Sequence, residues 1–228
     1  MKSIMVVVLT FLVCLGINFI DVKNESSDEA NLNGIVSKVS KSQVLALQEK
    51  YNNLDIKGYL DIPGTMIHEP VLQGEDNSFY LSHNVYKKKN VIGSLFLDYR
   101  VNINEKKTII YGHNSSTLKT PFQELEKYYE KDYWDKHQDI LLSDINGISR
   151  YKIFSVFVET QDWSYMQLDF DDEKWIKHLE DLQEKSWYET GVKVSKEDEI
   201  LILQTCSHHS KYKKYSKKYL LVVAKKVN

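Results

Sequence analysis

Cysteine is nearly absent from this sequence: Cys14 and Cys206 are the only two among 228 residues. That number cannot supply the paired disulfide framework on which small exported domains rely. With three prolines and nine glycines, there is no repeat or low-complexity tract. Arginine occurs twice, as Arg100 and Arg150. The net charge of −2 provides no basic field for phosphate, which argues against nucleic acid as the main partner. What is plentiful is core material. At 42% hydrophobic, 27% charged and 12% aromatic, the chain is too apolar to stay disordered.

There is one long apolar run. Residues 4–20 are almost unbroken apolar, with Lys2 before them and Asp21 and an acidic, serine-rich stretch after. About 17 helical residues at 1.5 Å each reach the short end of what spans a bilayer core. No small-x-small cleavage site follows Gly16, so residues 1–22 are expected to form an uncleaved anchor with positive charge inside. Residues 23–35 read as a linker and residues 36–228 as a globular domain. The expected location is the cell membrane, single-pass, with the domain outside.

That location changes the meaning of the second cysteine. Cys14 falls inside the anchor, leaving Cys206 without a partner. A lone thiol outside the membrane is open to oxidation, and the plain alternative is a small buried hydrophobe. Its placement favours reactivity. Residues 200–203 (Ile-Leu-Ile-Leu) form a short, partly β-branched run between charged residues 196–199 and Ser207-His208-His209. Such a run reads as a buried strand ending at a sheet rim, with Gln204, Thr205 and Cys206 at its end.

A thiol attacks as thiolate and wants a basic or cationic neighbour, which histidine supplies. Of seven histidines, His137 and His178 fall among charged residues in helical stretches and are expected to be solvated, while His68 and His83 lie near turns. His113 repeats the placement of the cysteine: residues 108–111 form a short apolar strand that ends at Gly112-His113-Asn114. Two neighbouring strands ending at one rim would bring His113 and Cys206 together. With Cys206, His208 and His209 make a Cys-x-His-His set. A closed zinc site needs four ligands and no second cluster is at hand, so no metal is expected.

Elsewhere a helix is expected over 36–51 and strands over 56–62, 66–72 and 93–99. A second helix is expected to start at Thr120-Pro121, with threonine as cap, and to run through Phe122, Leu125 and Tyr128. Strands 140–144 and 149–159 should pair through a turn at Asn146-Gly147. A helix over 171–185 and strands over 192–194, 200–205 and 219–227 complete the reading. Many short strands without strict β-α alternation indicate a mainly β barrel or sandwich decorated by helices.

Tyr111-Gly112-His113-Asn114, Thr205-Cys206 after an apolar strand, and the segment Gly93-Ser94-Leu95-Phe96-Leu97-Asp98-Tyr99-Arg100 together resemble a class B sortase, over roughly residues 56–228. The resemblance implies an eight-stranded β-barrel transpeptidase with peripheral helices and no cofactor. Cys206 would attack a threonine carbonyl in a C-terminal sorting signal (NPQTN-like or related) of a secreted protein and form an acyl-thioester. His113 would protonate the departing amine, then deprotonate the amine of a cell-wall peptide precursor. Thr205 would help position the substrate or its oxyanion, and residues 162–185 would form the insertion that flanks the groove. Asp98 to Arg100 would hold the barrel together at a strand end. The family places an arginine near the start of the last strand; here Lys218 or Tyr219 falls near that position. A degenerate sortase acting as a binding module, and an exported cysteine peptidase that hydrolyses, are the alternatives.

Overall fold

Continuous apolar strand sequences belong to strands that are buried on both faces, and the barrel here is built that way. The computed structural model describes residues 25–103 and 105–227. Residues 36–228 form one compact unit. The expected anchor at residues 4–20 lies outside the described residues. Among the described residues no helix is long and apolar enough to cross a membrane.

Eight strands close into a barrel: β1 (Ile56–Asp61), β2 (His68–Leu72), β3 (Leu95–Leu97), β4 (Lys107–Tyr111), β5 (Asp139–Ser143), β6 (Ile148–Glu159), β7 (Ile200–Cys206) and β8 (Tyr219–Val227). Their order around the barrel is β1-β2-β3-β4-β7-β8-β6-β5, and β1 pairs with β5 to close it. The β2–β3 and β4–β7 pairs are parallel and the others antiparallel.

Alternation divides each apolar run between two cores. Leu60, Val71, Leu95, Ile110, Leu142, Ile153, Leu201, Leu203 and Val222 fill the interior. Ile109, Tyr111, Ile200, Ile202, Leu221 and Val223 pack on the outer face. That face is covered by Val44 and Leu47 of α1 (Glu25–Tyr51) and by Trp175, Leu179 and Leu182 of α3 (Asp172–Glu184). A fully buried leucine of this kind contributes about 1.5–3 kcal/mol.

Four expectations need correction. The first helix begins at Glu25, inside the stretch expected to be a linker; residues 25–33 contain no proline, the residue that would bar a helix from continuing. The segment after Pro121 is a 3-10 helix, Gln123–Tyr129, whose N-cap is Phe122. Thr120 does not cap it: its hydroxyl accepts from the Ser115 amide at 3.0 Å. A short α2 (Lys131–Lys136) follows. Residues 192–194 form no strand, because a closed barrel leaves no free edge, and Val192 and Val194 only pack against the cores. His178 is buried, with its ring stacked on Phe170 at 4.6 Å. At the other end, Asp171 caps α3 by accepting from the Lys174 amide at 2.8 Å.

Candidate active site

The parallel β4–β7 pair sets the site. Its last registered partners are Tyr111 and Gln204. Two residues further along each chain stand His113 and Cys206. The side-chain period of a strand is two, so both continue the outer face that carries Ile109, Tyr111, Ile202 and Gln204. Tyr219 lies opposite Cys206 in the antiparallel β7–β8 pair, on the same face. Tyr111, His113, Gln204, Cys206 and Tyr219 line one groove of about 320 Å³, together with Asn77, Leu81, Phe96, Met166 and Thr205.

Short bonds fix the rim. The Gly112 amide donates to the Gln204 carbonyl at 3.2 Å. Thr205 donates its hydroxyl to the Gly112 carbonyl at 2.7 Å, and the Asn114 side-chain amide donates to the Cys206 carbonyl at 2.9 Å. Glycine at 112 is required by space, since a Cβ there would lie 2.3 Å from Leu95 and 2.6 Å from Phe122.

His113 is half-buried, and its Nε2 lies 2.7 Å from the Leu81 carbonyl. A carbonyl only accepts, so Nε2 carries the proton and Nδ1 is the basic nitrogen. The Leu81 segment reaches the histidine because Gly93, at φ +66°, lets backbone pass; a Cβ there would lie 2.7 Å from the Tyr80 carbonyl and 2.8 Å from that of Leu81.

Cys206 is a free thiol accessible at the surface. The walls of the groove remove enough water to push its pKa up, while the Lys218 cation opposes that shift. Burial, and then the charge of Cys206, raise the Tyr219 phenol as well. Lys218 has the opposite strand parity, and its Nζ donates to the Tyr215 carbonyl at 3.1 Å. Of the two residues at the expected arginine position, Tyr219 is thus the one in the groove.

Thr205 is buried, and its hydroxyl proton is committed to Gly112. It braces the two strands and has no proton to offer an oxyanion. His208 and His209 do not join Cys206 in a ligand set. The first places Nε2 3.1 Å from the Asn114 carbonyl, and the second packs edge-on against Tyr129 and Trp187. Among the described residues no three His, Cys, Asp or Glu side chains gather where they could hold a metal.

Behind the groove, Tyr111 donates its hydroxyl to Asp98 at 2.7 Å, and Arg100 grips the same carboxylate through Nε at 2.8 Å and Nη2 at 2.7 Å. The expected structural role of Asp98-Tyr99-Arg100 thus has a specific form, in which it holds the Tyr111 ring in the groove. Sequence reasoning missed Asn77, Leu81, Met166 and Gln204. Gln204 could have been found by counting two back from Cys206. Met166, in the 3-10 turn Ser164–Met166, and Leu81 come from distant loops that carry no such signal.

A family model described as "Sortase domain" matches residues 60–227. Sortase B of Listeria monocytogenes is 39% identical over 168 residues, which is 71% of this chain and 67% of that protein. Among solved structures, the sortase B of Clostridium perfringens superposes with a TM-score of 0.71 at 28% identity, covering 80% of this chain and 98% of the other. A Staphylococcus aureus sortase B–substrate complex gives 0.70 at 27% identity, covering 89% and 99%.

Proposed function

This chain belongs to the sortase family of cysteine transpeptidases, and from that premise we propose that Cys206 is the acylating nucleophile and His113 the proton carrier. The observation that carries the assignment is the register. His113 and Cys206 each stand two residues past Tyr111↔Gln204, on one face, in one groove.

The chemistry follows from the groups in place. Transfer of the thiol proton to His113 Nδ1 leaves a thiolate beside an imidazolium. The thiolate attacks the threonine carbonyl of a sorting-signal peptide lying in the groove. As the C–N bond breaks, the departing amine takes the proton from His113, and a thioester remains. An incoming amine gives its proton back to His113 and attacks the thioester; the C–S bond breaks and an amide forms. Tyr219, across from Cys206 in the groove, is assigned as donor to the oxyanion, while Thr205 and Asn114 hold the strand ends.

The groove combines apolar Leu81, Phe96 and Met166 with amide-bearing Asn77 and Gln204. That lining suits an extended peptide with mixed apolar and amide side chains, as in an NPQTN-like signal. The substrates are secreted proteins, the acceptor is a cell-wall peptide amine, and residues 4–20 anchor the enzyme in the membrane with its domain outside.

Intact-mass analysis of the protein incubated with sorting-signal peptides tests the reading. A mass gain equal to the peptide up to its threonine, absent in Cys206→Ala, is the expected result. Release of that adduct as an amide on adding triglycine or a diamino acid identifies transfer. No adduct with any peptide that binds would overturn the assignment.

A further inference from the structure

Met166, in the 3-10 turn Ser164–Met166, forms one wall of the groove, and two basic side chains, Arg100 after β3 and Lys107 at the start of β4, hold successive carbonyls of that segment. Arg100 Nη2 donates to the Met166 carbonyl at 3.3 Å. Lys107 Nζ donates to the Gln167 carbonyl at 2.8 Å and lies 2.8 Å from His178 Nε2. Lys107 begins β4 on the same face that ends in His113.

We propose that Lys107, seated against His178 of α3, is a positioning residue for the substrate groove. It pins the Gln167 carbonyl while Arg100 pins that of Met166, and so sets how far the Met166 wall stands from Cys206. The proposal rests on the reading of that groove as the peptide site.

Filling space does not account for this lysine. It is 3% exposed, and among the described residues no carboxylate pairs with its Nζ, which meets two acceptors and the Phe170 ring at 5.2 Å. A buried amine that must shed its water is an expensive filler. What the lysine alone provides is a donor long enough to reach the wall. Burial, and then the charge of Arg100, lower its pKa to about 7. His178 is lowered to about 3, by burial first and then by Lys107 and Lys185, with Asp162 opposing. The imidazole is therefore neutral at neutral pH, and Nε2 can accept from Lys107 Nζ, which keeps donor hydrogens as ammonium or as amine.

Lys107→Met in the full chain separates this role from a merely structural one. The Tm should fall by no more than a few degrees, while KM for a sorting peptide rises about ten-fold, the scale of one buried hydrogen bond, and kcat changes less than about two-fold. Backbone amides of residues 163–168 should exchange about ten-fold faster, with β4 and β7 unchanged. Lys107→Gln retains a shorter donor and should recover part of both effects; it carries the test if the methionine variant does not fold. An unchanged KM, or unchanged exchange in the wall, overturns the proposal. If the wild-type protein turns over no peptide, the groove reading has failed, and the exchange measurement alone decides whether the clamp exists.

Discussion

Asn114 donates its side-chain amide to the main-chain carbonyl of Cys206 at 2.9 Å, joining the residue after His113 to the backbone of the proposed nucleophile across 92 positions of sequence. With Thr205 bonded to Gly112, this makes the two strand ends a single rigid rim. The precision of a nucleophile–base pair depends on such bracing, because small misplacements cost large factors in rate.

Asn114→Ala should therefore loosen the rim without touching substrate. The lost bond is worth about 1 kcal/mol of stability. A fall in kcat of about ten-fold, with KM for the peptide nearly constant, is expected from steady-state transpeptidation, and the Tm should drop by a few degrees. Wild-type kcat in the variant would show that the Thr205–Gly112 bond suffices alone.

Tyr219 and Lys218 can be separated by parity. Tyr219 lines the groove across from Cys206, whereas Lys218 bonds the Tyr215 carbonyl. If the phenol serves the oxyanion, Tyr219→Phe should lower kcat by about 10²-fold, the scale of a lost oxyanion donor. Lys218→Ala should leave kcat within about three-fold of wild type by the same measure. The reverse ranking would move the oxyanion role to the lysine.

Much of this site could be read in the strand sequences. A period of two, with Cys206 and His113 at the ends of apolar runs, was enough to bring them to one rim. Burial on both faces explains why those runs are unbroken, and the same pattern located β7 and β8 closely. What escaped depended on tertiary closure. Residues 192–194 look like a strand but find no edge to pair with. His178 looks solvated among charges, yet its position on α3 turns it toward Trp175 and Phe170. Leu81 and Met166 reach the groove through loops whose course no local pattern fixes.

Asp98 ties the groove to acid stability. Its side chain is wholly buried, and burial acts to raise its pKa. The Arg100 side chain, the Arg100 amide and the Tyr111 hydroxyl outweigh that and hold it at about 2, against an ordinary 3.8. A depressed carboxylate stabilises the fold fully above its unfolded pKa and loses that contribution as pH falls through the folded value. The window is therefore from about pH 4 down to about pH 2. At pH 7, Asp98→Asn should be less stable by about 2 kcal/mol, with the gap narrowing across that window in denaturant titrations. A constant gap from pH 7 to pH 2 would assign the loss to packing.

The thiol itself gives a pH test that needs no substrate. Burial raises the Cys206 pKa above its ordinary 9.0, and Lys218 works against that rise. The thiolate is the alkylating species, so a raised pKa means less thiolate at any given pH and a rate that keeps climbing beyond the usual midpoint. Iodoacetamide labelling, followed by mass on the peptide that contains Cys206, should show a midpoint above pH 9. Lys218→Ala removes the opposing cation and should shift it higher still. Occupying the groove with a sorting peptide should slow labelling at every pH. A wild-type midpoint below 9 would mean that cations outweigh burial at this rim, and Lys218→Ala would then show whether Lys218 is the one responsible.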